Sequence, residues 1–119
     1  MKDLKRKYIK VLKIELEDLN EDINMYMEKI IQDKDCGEIT NYVFMENLAL
    51  LKNEIIGIEA VNNYLDSLDI DELETIDDII EKIKTDLERK LREDGIAHAL
   101  TVYLERKIDK VKTYVMEAK

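Results

Sequence analysis

Residues 9–30, IKVLKIELEDLNEDINMYMEKI, place large apolar side chains at Ile9, Leu12, Leu16, Leu19, Ile23, Tyr26 and Ile30. The steps alternate between three and four without a slip. On a helix that spacing draws one lengthwise apolar seam, the pattern of a helix packed along others. Tyr8, Val11, Met25, Met27 and Ile31 flank the seam and widen it. A stripe this broad suits a bundle of three or four helices better than a two-stranded coiled coil.

Working outward, an N-cap at Asp3 predicts a helix to about Lys34, with Gly37 available for its left-handed closure. Lys2, Lys5, Arg6, Lys7, Lys10 and Lys13 crowd its first turns. Cations there oppose the helix dipole, so compensating acids are expected nearby. A second helix, about 40–66, carries the seam Phe44, Leu48, Leu51, Ile55, Ile58, Asn62, Leu65. An ideal helix loses step with a strict heptad, so the seam is expected to drift from Asn62 to Val61. Gly57 inside this helix costs about 1 kcal/mol relative to Ala and suggests a close backbone approach.

Thr75 and Asp78 form a capping box that opens a third helix, with Ile76, Ile80, Ile83, Leu87 and Leu91 on its seam and Ile79 beside it. After Gly95, Leu100, Tyr103, Leu104, Ile108, Val111 and Val115 continue the helical spacing from Ile96. A helix running through Gly95 would be one rod of roughly 65 Å, half of it without a partner in this chain. A corner at Gly95 gives four helices that cover one another's stripes. The expected fold is therefore all-α, an antiparallel up-down-up-down four-helix bundle with coiled-coil-like packing. It forms a single domain over residues 1–119, with helices at about 3–34, 40–66, 75–94 and 96–118.

Composition agrees with long helices and narrows the function classes. Charged residues make up 39% of the 119, proline is absent, and only three glycines interrupt. A hydrophobic content of 45% separates the chain from disordered ones of similar charge. The longest apolar runs, such as Leu48 to Leu51, are far too short for a bilayer span, and no signal-peptide core follows the first lysines. No membrane association and a cytoplasmic location are the resulting expectations. One Cys and one His exclude zinc fingers, bis-histidine haem sites and paired Glu-x-x-His di-metal sites, so no metal or cofactor is expected. Acidic neighbours and a helix end disfavour a nucleophilic thiolate at Cys36. No P-loop, dinucleotide fingerprint or Ser-His-Asp set occurs.

Charge is unevenly spread within the total of −9. Residues 1–14 carry a net +5, residues 15–81 a net −17 and residues 82–119 a net +3. The most acidic run, with Asp69, Asp71, Glu72, Glu74, Asp77 and Asp78, connects the second and third helices. Its order is not that of an EF-hand loop. Spaced carboxylates can display a phosphate-like field to a protein partner, so these six are candidate partner-binding residues. They can equally serve as a solvated helix start that answers the basic termini. Lys5, Arg6, Tyr8 and Lys10 resemble a nucleic-acid strip, but a pI near 4.7 opposes steering toward phosphate.

Arg92 and His98, the only imidazole, stand six positions apart across Gly95. This Arg-x5-His spacing resembles the Arg-x(4–6)-His signature of HEPN domains, helical modules that include metal-independent ribonucleases. The resemblance implies a catalytic pair at a homodimer cleft, acting on RNA. Glu93 stands where that family favours a small polar residue, and Leu100 where it often has tyrosine. On a continuous helix the two side chains would diverge by about 120°, so only a corner could unite them. Two functional expectations follow. The first is a non-catalytic acidic helical module that binds another protein as an adaptor, regulator or inhibitor, with a first-helix stripe wide enough for a homodimer. The alternative is a HEPN-like ribonuclease, or an inactive relative, using Arg92 and His98.

Overall fold

A computed structural model describes residues 2–96 and 98–117. It contains four α-helices: α1 Lys2–Asp35, α2 Asn41–Ser67, α3 Ile76–Glu93 and α4 His98–Glu117. A single 3-10 turn, Ile70–Glu72, interrupts the connection between α2 and α3. Among the described residues there is no strand, and no helix is long and apolar enough to cross a membrane. The helices pack as a bundle measuring 54 × 31 × 19 Å.

The helix ends follow local chemistry. Gly37 adopts φ 78°, and bonds from Gly37 N to the Lys34 carbonyl and Glu38 N to the Asp33 carbonyl close α1 in a Schellman motif. The Thr40 hydroxyl accepts from Val43 N to start α2. Thr75 and Asp78 exchange both bonds of the capping box at the start of α3. Gly95 repeats the Gly37 closure at φ 73°, with Ile96 N bonded to the Leu91 carbonyl at 2.9 Å. Gly95 is therefore a corner. Ile96, expected to begin the fourth helix, instead completes the closure of the third, burying its side chain as Leu91 does. The expected cap at Asp3 concerns a side chain outside the described residues, and α1 already includes Lys2.

The core runs along all four helices. Tyr8, Leu12 and Leu16 of α1 meet Ile58, Val61 and Leu65 of α2, Ile79, Ile83 and Leu87 of α3, and Leu104, Ile108 and Val115 of α4. The seam drifts to Val61 as expected, leaving Asn62 half-buried. Tyr8, read as a flank, is fully buried, whereas Tyr26, read as seam, is 51% exposed. The cause is length. The helices are not comparable: α1 and α2 have 34 and 27 residues, α3 and α4 only 18 and 20. At 1.5 Å per residue, α1 outruns α3 by roughly 24 Å, so part of its stripe has nothing over it.

The basic start of α1 finds partners beside the acidic connection. The Lys5 ammonium, on a side chain only 7% exposed, donates to the carbonyls of Ile70 at 3.0 Å and Leu73 at 2.6 Å. Lys13 pairs with Asp66, and Lys112 near the end of α4 pairs with Asp77. Lysines set against the dipole of α1 thus bind carbonyls and carboxylates of neighbouring elements.

Candidate functional site

The acidic run is largely occupied with local structure. Asp69 accepts from Asp71 N at 3.1 Å, which fixes the 3-10 turn. Asp78 accepts from Thr75 N at 3.3 Å within the capping box, and Asp77 pairs with Lys112. Asp71, Glu72 and Glu74 point into solvent. Glu74 also lines a shallow cleft of about 120 Å³ with Lys5, Lys112 and Met116. Among the described residues, no cluster of three or more His, Cys, Asp or Glu could hold a metal ion. A partner approaching this run would meet three carboxylates whose side chains are turned outward, beside three that cap or pair.

The corner at Gly95 changes the geometry of Arg92 and His98. Both are exposed, and both line one cleft of about 220 Å³ together with Glu88, Ile96 and the buried Thr101. Arg92 stands in the last turn of α3, where a cation suits the dipole, and His98 is the first described residue of α4. The cleft combines a guanidinium, an imidazole and a carboxylate on an open rim. Such a set can bind an anion and move a proton.

The basic N-terminal strip is split by folding. Lys5 and Tyr8 turn inward, and only Arg6 and Lys10 of that group remain exposed. Cys36 is exposed at the turn between α1 and α2.

A further surface carries exposed apolar side chains beside the start of α4. Leu19 and Ile23 of α1 and Glu54 of α2 line a cleft with Ala99, Leu100 and Tyr103, at the first turns of α4. Gly57 of α2 faces Leu100 and Ile96. Stepping along the same helix faces away from α4, α1 presents Tyr26 and α2 presents Leu50 and then Val43. These faces lead past the first turn of α4 to exposed apolar residues, while Ile30 and Phe44 further along are buried and the Lys34 ammonium lies 4.6 Å from the centre of the Phe44 ring. Leu50 is 60% exposed, and Val43 and Tyr26 also stand in solvent. Met25 of α1 and Tyr42 and Met45 of α2 expose further apolar surface.

No family model, curated protein or solved structure matches this chain. The resemblance to HEPN domains rests on Arg92, His98 and the helical class.

The sequence leaves the first-helix stripe wide enough for a second chain but does not mark Val43 and Leu50, because exposure along a seam depends on how far the helices opposite it reach. The signal lies in the charges. In a chain that is 39% charged, residues 39–51 carry one charge, Glu46. A helix apolar on more than one side belongs where more than one side is covered.

Proposed function

We propose that this chain is a non-catalytic helical protein-binding module, an adaptor, regulator or inhibitor, that receives a partner on the open end of the α1–α2 hairpin. The observation that carries the reading is the exposure of Tyr26, Val43 and Leu50 beyond the first turn of α4, the last two in a stretch, residues 39–51, with a single charge. Exposed apolar side chains gathered in one region of a fold favour an interaction site. The acidic residues Asp71, Glu72 and Glu74 supply a secondary, electrostatic contact at the other end of α2. The helices run up-down-up-down with antiparallel neighbours. That arrangement is supported by the pairing of Lys13 with Asp66, Glu15 with Lys107, and Asp77 with Lys112. A cytoplasmic location fits a chain with a single, exposed cysteine.

A photoreactive residue at position 50, with position 90 on α3 as control, tests the reading in extract of the native host. A discrete protein adduct is expected from position 50 only, and it disappears when Val43→Asp is added. Equal or absent labelling at the two positions overturns the module.

The shared cleft favours one second reading, a HEPN-like ribonuclease acting through Arg92 and His98. RNA cleavage by the wild type that His98→Ala abolishes would replace the binding module with an enzyme. A wild type inert toward RNA removes the ribonuclease.

A further inference from the structure

We infer that the occupant of the open hairpin groove is a second copy of this chain, so that two hairpins complete a four-helix cross-section where α3 and α4 are missing. The inference rests on the protein-binding reading above and names its partner. Over the inner half of the hairpin, α1 and α2 are covered by two further helices, α3 and α4. The outer half, about residues 24–35 of α1 and 41–52 of α2, extends roughly 18 Å further; Ile30 and Phe44 are buried there, while Tyr26, Val43 and Leu50 stand in solvent. What fits the vacancy is another pair of helices with the same spacing. An identical hairpin supplies it, in the isologous contact that two-fold symmetry builds from one patch meeting itself.

The charges around the patch select a copy over a partner of one sign. Residues 15–81 contain three bases, Lys29, Lys34 and Lys52, and all three fall in this outer segment. Five acids share it, for a net −2 over residues 24–52. Residues 53–81, by contrast, hold ten acids and no base. A self-contact needs both signs on its rim, because each residue type must find its opposite on the same surface. A site for a basic partner would resemble residues 53–81 instead. Two copies of net charge −9 also repel, and the near-neutral hairpin end is where they can approach most easily.

The patch is small. Two hairpins facing over this length bury on the order of 500 Å² per copy, at the low end for specific interfaces, so the dimer is a weak, reversible one. Sedimentation velocity of the purified full chain from 1 to 300 μM is the test. The expected result is a monomer–dimer equilibrium that Leu50→Asp weakens at least tenfold. Tyr114→Asp, which changes an exposed apolar residue of α4, should leave it unaltered. Position 50 lies in solvent, so circular dichroism should show the Leu50→Asp variant to be folded. A nitroxide on Cys36, exposed at the hairpin turn, should report an intermolecular distance below about 40 Å, twice the overhang. A monomer at 300 μM, or a dimer indifferent to Leu50→Asp, overturns the inference. Should the purified chain be monomeric while position 50 still crosslinks specifically to another protein, the second copy is wrong and the binding module stands.

Discussion

The hydroxyl of Tyr8 donates to the main-chain carbonyl of Ile108 at 2.9 Å, joining α1 to α4 through a side chain with no exposed surface. A buried tyrosine needs such a partner, and here it finds one on a carbonyl inside a helix. The bond explains why tyrosine stands where the apolar pattern would accept leucine. The ring belongs to the core, with Leu12 and Leu16 one and two turns further along α1.

Tyr8→Phe should therefore cost about 1 kcal/mol, the net worth of one hydrogen bond, whereas Tyr8→Ala should cost about 3–5 kcal/mol by opening a cavity. Urea unfolding of the two variants measures both. The same hydroxyl predicts a pH dependence. Burial, with the Asp109 charge adding to it, holds Tyr8 protonated well above the usual tyrosine range. A raised pKa contributes stability that is whole below pH ~10 and declines as the pH climbs toward the folded value. The wild type should lose stability steeply above pH ~10, and Tyr8→Phe should lose less over that range.

Lys5 holds the connection between α2 and α3 by two carbonyls, those of Ile70 and Leu73. Charge-assisted bonds of this kind are each worth about 1.5–3 kcal/mol, less what desolvating the ammonium costs. Lys5→Met keeps the aliphatic stem and removes the donor. A loss of about 1–3 kcal/mol is expected, with faster amide exchange confined to residues 68–75. Uniform exchange throughout the chain would argue instead that Lys5 acts on global packing.

How far the sequence speaks for itself differs between these residues. The capping box at Thr75, the drift to Val61 and the closures at Gly37 and Gly95 were legible, because each depends on neighbours within one or two turns. The burial of Tyr8 and the exposure of Tyr26 are not legible locally, since burial of a residue on a stripe depends on which helix lies opposite and how far it reaches. Lys5 reads as a surface base until the 3-10 turn is set against it. The cleft uniting Arg92 and His98 required the corner, which local sequence suggested without saying which faces it would bring together. The open groove is a difference between helix lengths, a property of the assembled chain that no single segment contains.

Gly57 admits α4 to the side of α2. A Cβ there would lie 2.6 Å from Leu100 Cδ2 and 3.1 Å from Ile96 Cγ2, both side-chain atoms. Gly57→Ala gains about 1 kcal/mol of helix propensity and loses a comparable amount in displacing Leu100, so its stability should stay within about 1 kcal/mol of wild type. Gly57→Leu has no such compensation and should destabilise by about 1–3 kcal/mol or more. Thermal melts of both variants, with and without Leu100→Ala, check the mechanism. Removing the Leu100 methyls should turn Gly57→Ala into a stabilising change in that background, and failure to do so would place the clash elsewhere.

Tyr64 and Asp86 join α2 to α3 by a hydroxyl donating to a carboxylate at 2.6 Å. That bond, helped by Lys82 and Arg89 and opposed by partial burial, holds the Asp86 carboxyl below the usual range. The Tyr64 hydroxyl moves the other way, raised first by burial and then by its bond to Asp86. A lowered carboxyl contributes stability that is present above pH ~4 and disappears as the pH falls through the folded value. Asp86→Asn keeps an acceptor but removes the charge, so it should be less stable than wild type at pH 7. The gap should narrow as both are acidified below pH ~4. Denaturant midpoints at pH 7 and pH 3 measure this directly. A gap that is unchanged between the two would mean that shape, and not charge, accounts for the Tyr64–Asp86 contact.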